Sequence, residues 1–127
     1  MKLLLLACAG GAIGAGLRFG VTQWFAARGW TELHWATFSI NVSGSFLMGL
    51  LAAVLMSRTH HLAAEMRVFL ATGILGGYTT FSAFSLEAWM LAERGQIVTA
   101  GLYVAGSVFL SIAGLGLGLI TAKWLFS

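Results

Sequence analysis

Apolar residues run almost unbroken through four stretches of this chain, with neither strict alternation nor a clean amphipathic period. They span about Leu3–Phe25, Thr37–Met56, Met66–Ala92 and Ile97–Phe126. Each is near the ~20 residues that an α-helix needs to cross the hydrocarbon core of a bilayer. The segments between them, "AARGWTELHWA", "SRTHHLAAE" and "ERGQ", are short and polar. The pattern predicts an all-α membrane protein with four spans in one transmembrane domain, residues 1–127, with no linker and no internal repeat. The leading "MKLLLLACAGG" has the Lys2, leucine run and Cys8 of a lipoprotein signal. Only five residues separate Lys2 from Cys8, against the ~7–15 of a signal's apolar region. Apolar character also continues past Cys8, so the first helix is expected to be retained.

Composition strengthens this reading. The chain is 59% hydrophobic and 9% charged, whereas soluble domains carry about 25% charged residues. That leaves too little polar surface to cover a water-soluble globule. The net charge of +3 is scattered, which excludes a nucleic-acid surface as the organising feature. Cys8 is the single cysteine, so no intrachain disulfide can form. His34, His60 and His61 fall in connections without companion ligands, and no nucleophile elbow or nucleotide motif is present. No enzyme is expected. Trp24, Trp30, Trp35 and Trp124 fall at or near span ends, and Trp89 near the end of the third, where indole rings favour the headgroup layer.

With four spans, Lys2, Arg58, Arg67 and Lys123 share one side, against Arg28 and Arg94 with Arg18 close by. So small a bias sets orientation weakly. That leaves insertion both ways round open to it, and with it an antiparallel twofold homodimer. Gly10 with Gly14, Gly114 with Gly118, and Ser107 with Ser111 have the small-xxx-small spacing of close helix contacts. Packing within one subunit and packing between subunits are both compatible with it.

Polar groups inside a span are costly and therefore informative. Arg18, in the first span, can snorkel to the headgroups or line a vestibule. Thr37, Asn41 and Ser45 are four residues apart and share a helical face. The Asn41 amide suits either an anion or a bond between helices. Tyr103, Ser107 and Ser111 form a hydroxyl stripe on the fourth span. In the third span, "GGYTTFSAFSLE" (residues 76–87) does not read as a simple membrane helix. Gly73, Gly76 and Gly77 followed by Thr79 and Thr80 are expected to weaken or break it near mid-membrane. Discontinuous helices supply ion sites in transport proteins. Phe81 and Phe84 follow on one face; that spacing alone ordinarily means packing, although positive ring edges can also face an anion.

With these residues in view, the sequence resembles the Fluc (CrcB) family of fluoride channels over essentially its whole length. "GGYTTFSAFSLE" is similar to the family's GGxTTFSTFSxE, joined by "GGAIGAGLR", "INVSGSFLMG" and "YVAGSVFLS". The resemblance implies a passive fluoride-selective channel in the bacterial inner membrane that lowers fluoride toxicity. It would be a dual-topology antiparallel homodimer embedded in lipid, with two pores and a central structural Na+. Backbone carbonyls of Gly76 and Thr79 would hold the Na+. Asn41, Thr80, Phe81, Ser82, Phe84, Tyr103, Ser107 and Ser111 would line the pore, with Arg18, Thr37 and Glu87 in structural or vestibule positions. The chain departs from the pattern at Ala83, where threonine is usual, and more mildly at Ser45, where glycine is common. The competing reading is a proton-coupled small multidrug or cation exporter. That mechanism resembles one resting on a glutamate in the first span; this first span has none, and Glu87 is the acid within a span's core region. A helical accessory subunit without flux is a third reading.

Overall fold

The computed structural model describes residues 1–57 and 64–126, and every regular element among them is helical. Arg58, His60 and His61 lie outside the described residues. Helix α1 is Lys2–Ala27 and α2 is Leu33–Ser57. In the third span, α-helical residues 64–66 lead into a π-helical stretch, Arg67–Leu75, followed by one α-helical turn, α3, Gly76–Tyr78. Thr79 (φ −77°, ψ 159°) and Thr80 (φ −153°, ψ 120°) are extended, and α4 follows at Phe81–Glu93. Helix α5 is Ile97–Phe126.

Four helical segments are long and apolar enough to cross a membrane: Lys2–Ala27, His34–Ser57, Ala64–Glu93 and Ile97–Phe126. The hydropathy stretches lie within three residues of these described bounds, because desolvation selects an apolar span locally. Side chains such as Phe19, Phe109, Ile120 and Trp124 are exposed on the outer surface. In water that surface would be untenable; in lipid it is the ordinary solvent-facing surface.

The four spans associate as two close pairs, α1 with the start of the third span and α2 with α5. Glycines set both contacts. A Cβ on Gly10 would run into the carbonyl of Phe69, and one on Gly14 into that of Ile74. A Cβ on Gly49 would meet the Leu115 carbonyl, and one on Gly118 the Phe46 carbonyl. Backbones can touch only because side chains are missing there. Contacts advance together along both helices of each pair, so each pair is parallel. Both GxxxG motifs are thus occupied inside the subunit. Gly73, Gly76 and Gly77 are themselves helical; Gly73 and Gly77 lie against Gly10 and Gly11. Helical dihedrals end at the threonines that follow.

Short turns close the α1–α2 and α4–α5 connections. Gly29 and Gly95 take positive φ of 76° just beyond α1 and α4, where a left-handed residue ends a helix at no steric cost. At the α1–α2 end, Trp24, Phe25, Trp30, Trp35 and Phe38 form a chain of edge-on rings. Lys2 pairs with Glu65 at 2.6 Å, joining the starts of the first and third spans.

Candidate functional site

The site is organised around the extended residues Thr79 and Thr80. Asn41, mid-way along α2, reaches across with its whole amide. Its Nδ2 donates to the Thr80 carbonyl at 2.9 Å, and its Oδ1 accepts from the Thr80 N–H at 2.9 Å. A planar amide can do this because it carries donor and acceptor side by side, as a neighbouring strand would. Thr80 is also the N-cap of α4: its Oγ1 accepts from the Ala83 N–H at 3.2 Å and lies 3.4 Å from Ser82 Oγ. The Thr79 N–H and Oγ1 both donate to the Leu75 carbonyl, at 3.0 and 2.9 Å.

A groove of ≈ 390 Å³ opens on this point, lined by Asn41, Thr80, Phe81, Phe84, Ser107 and Ser111 among others. The N-terminus of α4 lies at it, bringing the positive end of a helix dipole to an otherwise uncharged lining. Ser107 is 5% exposed, and its Oγ has no hydrogen-bond partner among the described residues. Buried hydroxyls are normally bonded, and one left open beside a groove invites a ligand or water.

The two phenylalanines diverge. Their rings lie 5.5 Å apart, yet Phe84 is 7% exposed and Phe81 is 78% exposed. Phe84 packs on Tyr103, centroid to centroid 5.2 Å. Phe81 projects from the subunit. Ser82 is also exposed and is not among the groove-lining residues.

Beyond Phe84 lies Glu87. Its Oε1 accepts from Thr37 Oγ1 at 2.8 Å and its Oε2 from the Tyr103 hydroxyl at 2.7 Å. Both donors are buried. Glu87 also lines a second cavity of ≈ 280 Å³ with His34, Glu32 and Arg94, near the turns at that end. His34 stacks edge-on to Tyr103 at 5.7 Å and sits 3.4 Å from Glu32. From Ser111 through Ser107 to Tyr103 the stripe covers about 12 Å of helix rise, from two groove-lining hydroxyls to the one that bonds Glu87.

The structure therefore brings Asn41, Thr79, Thr80, Phe81, Phe84, Ser107 and Ser111 to one groove, and Thr37, Glu87 and Tyr103 to one bonded cluster beside it. Arg18 stands apart: its backbone carbonyl accepts from Thr22, and its side chain makes no bond with a described residue. Gly76 is next to the groove rather than in its lining.

The comparisons with known proteins identify the class. The family described as CrcB-like protein, Camphor Resistance (CrcB), matches residues 5–119. The chain belongs to the CrcB family. A relative in Erythrobacter litoralis (strain HTCC2594), named fluoride-specific ion channel FluC, is 48% identical over 90% of this chain and 87% of its own length. A protein of the same name in Rhizobium meliloti (strain 1021) is 49% identical over 94% of each. One in Hyphomonas neptunium (strain ATCC 15444) is 46% identical over the full length of both.

For a CrcB-family chain, some contacts carried no advance signal in the sequence. Tyr78 and Ser43 pair through their hydroxyls at 3.0 Å, and Gly44 has room for no Cβ beside Thr79 Cγ2 and Tyr78. His34 read as a loop histidine, yet it lies against the Tyr103 ring. Among the described residues, no three His, Cys, Asp or Glu side chains gather as a metal cage. A cation held here would depend on backbone or neutral oxygens.

Proposed function

We propose that this chain is a passive, fluoride-selective anion channel of the bacterial inner membrane, through which fluoride leaves the cell and so becomes less toxic. The buried, unpartnered Ser107 hydroxyl at the groove is the observation that carries the reading. Fluoride is small and strongly hydrated, so entry requires donors that replace its water. Asn41 has a second N–H beyond the one it gives Thr80. Ser107 and Ser111 offer hydroxyls, the phenylalanines offer positive ring edges, and the α4 N-terminus adds a favourable potential. None is a fixed charge, which suits an ion that must leave as readily as it enters. The names of the FluC relatives support the choice of ion.

The path runs from the groove past Phe84 and along Tyr103 to the Glu87 cavity. Glu87 is an obstacle to an anion unless its charge is spread, and the Thr37 and Tyr103 hydroxyls provide that. Phe81 lines the pore from the exposed side of the subunit. Its exposure favours a second copy completing the wall, in an antiparallel, dual-topology homodimer. Ser82 stands at the same rim, and Arg18 remains a vestibule residue.

The extended Thr79–Thr80 step supports reading the third span as discontinuous, with a structural Na+ at the dimer centre. The fit is favourable on one point of this structure. The Thr80 N–H is turned to Asn41, so the Gly76 carbonyl lacks its i+4 donor. The carbonyls of Gly76 and Thr79 are the ligands we assign, repeated by the partner copy. A bound Na+ would supply charge compensation for carbonyls at membrane depth.

Efflux of fluoride from proteoliposomes, read with a fluoride electrode, tests the function. We expect fluoride to leave and chloride to stay. Equal release of both, or of neither, overturns the channel reading.

A further inference from the structure

We propose that Asn41 is a positioning residue for the cation cage as well as a pore amide: by capturing the Thr80 N–H it keeps the Gly76 carbonyl free. This role rests on the Na+ reading above. The third span is hydrogen-bonded as far as Thr79, whose N–H reaches the Leu75 carbonyl at 3.0 Å. The next bond of a continuous helix would run from the Thr80 N–H to the Gly76 carbonyl. Asn41 Oδ1 holds that N–H instead, at 2.9 Å, while Nδ2 holds the Thr80 carbonyl at 2.9 Å. Thr80 is thereby pinned at φ −153°, ψ 120°, far from helical dihedrals.

A carbonyl without a donor inside a bilayer is costly, and a hard cation is one group that compensates it. The amide therefore links two features of the molecule. Its Oδ1 side creates the vacancy at Gly76, and the residue itself lines the groove. Asp keeps the acceptor for the Thr80 N–H. Ala keeps neither half of the clamp, so the N–H can swing back to Gly76 and the helix can close through Thr79 and Thr80.

The test compares wild type, Asn41→Ala and Asn41→Asp, purified and unfolded by heat with Na+ or with N-methylglucamine. Binding to the folded state raises Tm according to ligand concentration over Kd, so fluoride flux plays no part in this readout. Wild type and Asn41→Asp should be stabilised over the same Na+ range. Asn41→Ala should need at least about tenfold more Na+, because a cation there competes with a recovered backbone hydrogen bond. An Na+ midpoint in Asn41→Ala equal to that of a responsive wild type overturns this role alone. A wild type indifferent to Na+ overturns the cation reading and this role with it.

Should Asn41→Ala not fold, the wild-type protein tests the free carbonyl that the role requires. The chain has two Gly-Gly pairs, Gly10–Gly11 and Gly76–Gly77. Glycine labelled with 13C at the carbonyl and 15N at the amide gives correlated signals from those pairs only. Replacing N-methylglucamine by Na+ should move the Gly76 carbonyl signal and leave that of Gly10. A stationary Gly76 signal in protein that Na+ stabilises overturns the proposal.

Discussion

Tyr103 donates its hydroxyl to Oε2 of Glu87 at 2.7 Å, tying α5 to α4. The other carboxylate oxygen is taken by Thr37 on α2, so three helices meet on one acid. Tyr103→Phe removes one donor and should cost about 1–3 kcal/mol in unfolding free energy. Glu87→Gln keeps an acceptor oxygen and should cost less, about 1 kcal/mol. Denaturant titration in micelles measures both. Transport assays on Glu87→Gln also separate the two transport readings. Continued fluoride efflux, with no proton-driven cation export in wild type or variant, is the outcome a channel requires.

Ser107→Ala should separate stability from function. The Oγ it removes is buried and unbonded, so its loss should leave stability unchanged or raise it by up to about 1 kcal/mol. One donor to the permeating ion disappears, and fluoride efflux should fall about tenfold, the rate equivalent of roughly 1.4 kcal/mol. Paired thermal unfolding and electrode measurements check this. Reduced stability together with full flux would remove Ser107 from the pore.

The two phenylalanines should respond in opposite ways. Phe84, 7% exposed and packed on Tyr103, should cost about 3–5 kcal/mol on truncation to Ala. Phe81, 78% exposed, should cost the subunit fold less than about 0.5 kcal/mol. Its truncation should show instead in slower fluoride efflux. Unfolding and flux measured on the same preparations distinguish packing from pore lining.

Glycines on α5 offer a map of the surfaces. Gly118→Ala drives a Cβ into the Phe46 carbonyl and should cost about 1–3 kcal/mol by forcing α2 and α5 apart. Gly116→Ala meets nothing within 4 Å in the subunit and should leave its folding intact. Replacing Gly116 by a larger residue then probes whether a partner copy covers that side, read as dimer loss by crosslinking or light scattering.

Much of the architecture was legible because its cause is local. Removing a backbone from water demands a long apolar helix, and Leu3–Phe25 or Ile97–Phe126 declare that residue by residue. The shared helical faces were legible for the same reason: Thr37, Asn41 and Ser45 recur every four residues, as do Tyr103, Ser107 and Ser111. The resemblance in "GGYTTFSAFSLE" added the expected chemistry. It could not show that Ala83 would sit at the N-cap bond of α4, with its N–H on Thr80 Oγ1, outside the groove lining.

What the fold decided was partnership. Equal spacing did not make equal environments: Phe81 and Phe84 separate into exposed and buried, and the hydroxyl stripe divides between a carboxylate at Tyr103 and an open groove at Ser107. Asn41 finds Thr80 across 39 residues, and Thr37 finds Glu87 across 50. Periodicity can state which face a side chain occupies. Only the packing of helices, set by glycines such as Gly10, Gly49 and Gly118, determines what that face meets, because hydrogen bonding depends on ångström-scale approach between segments distant in sequence.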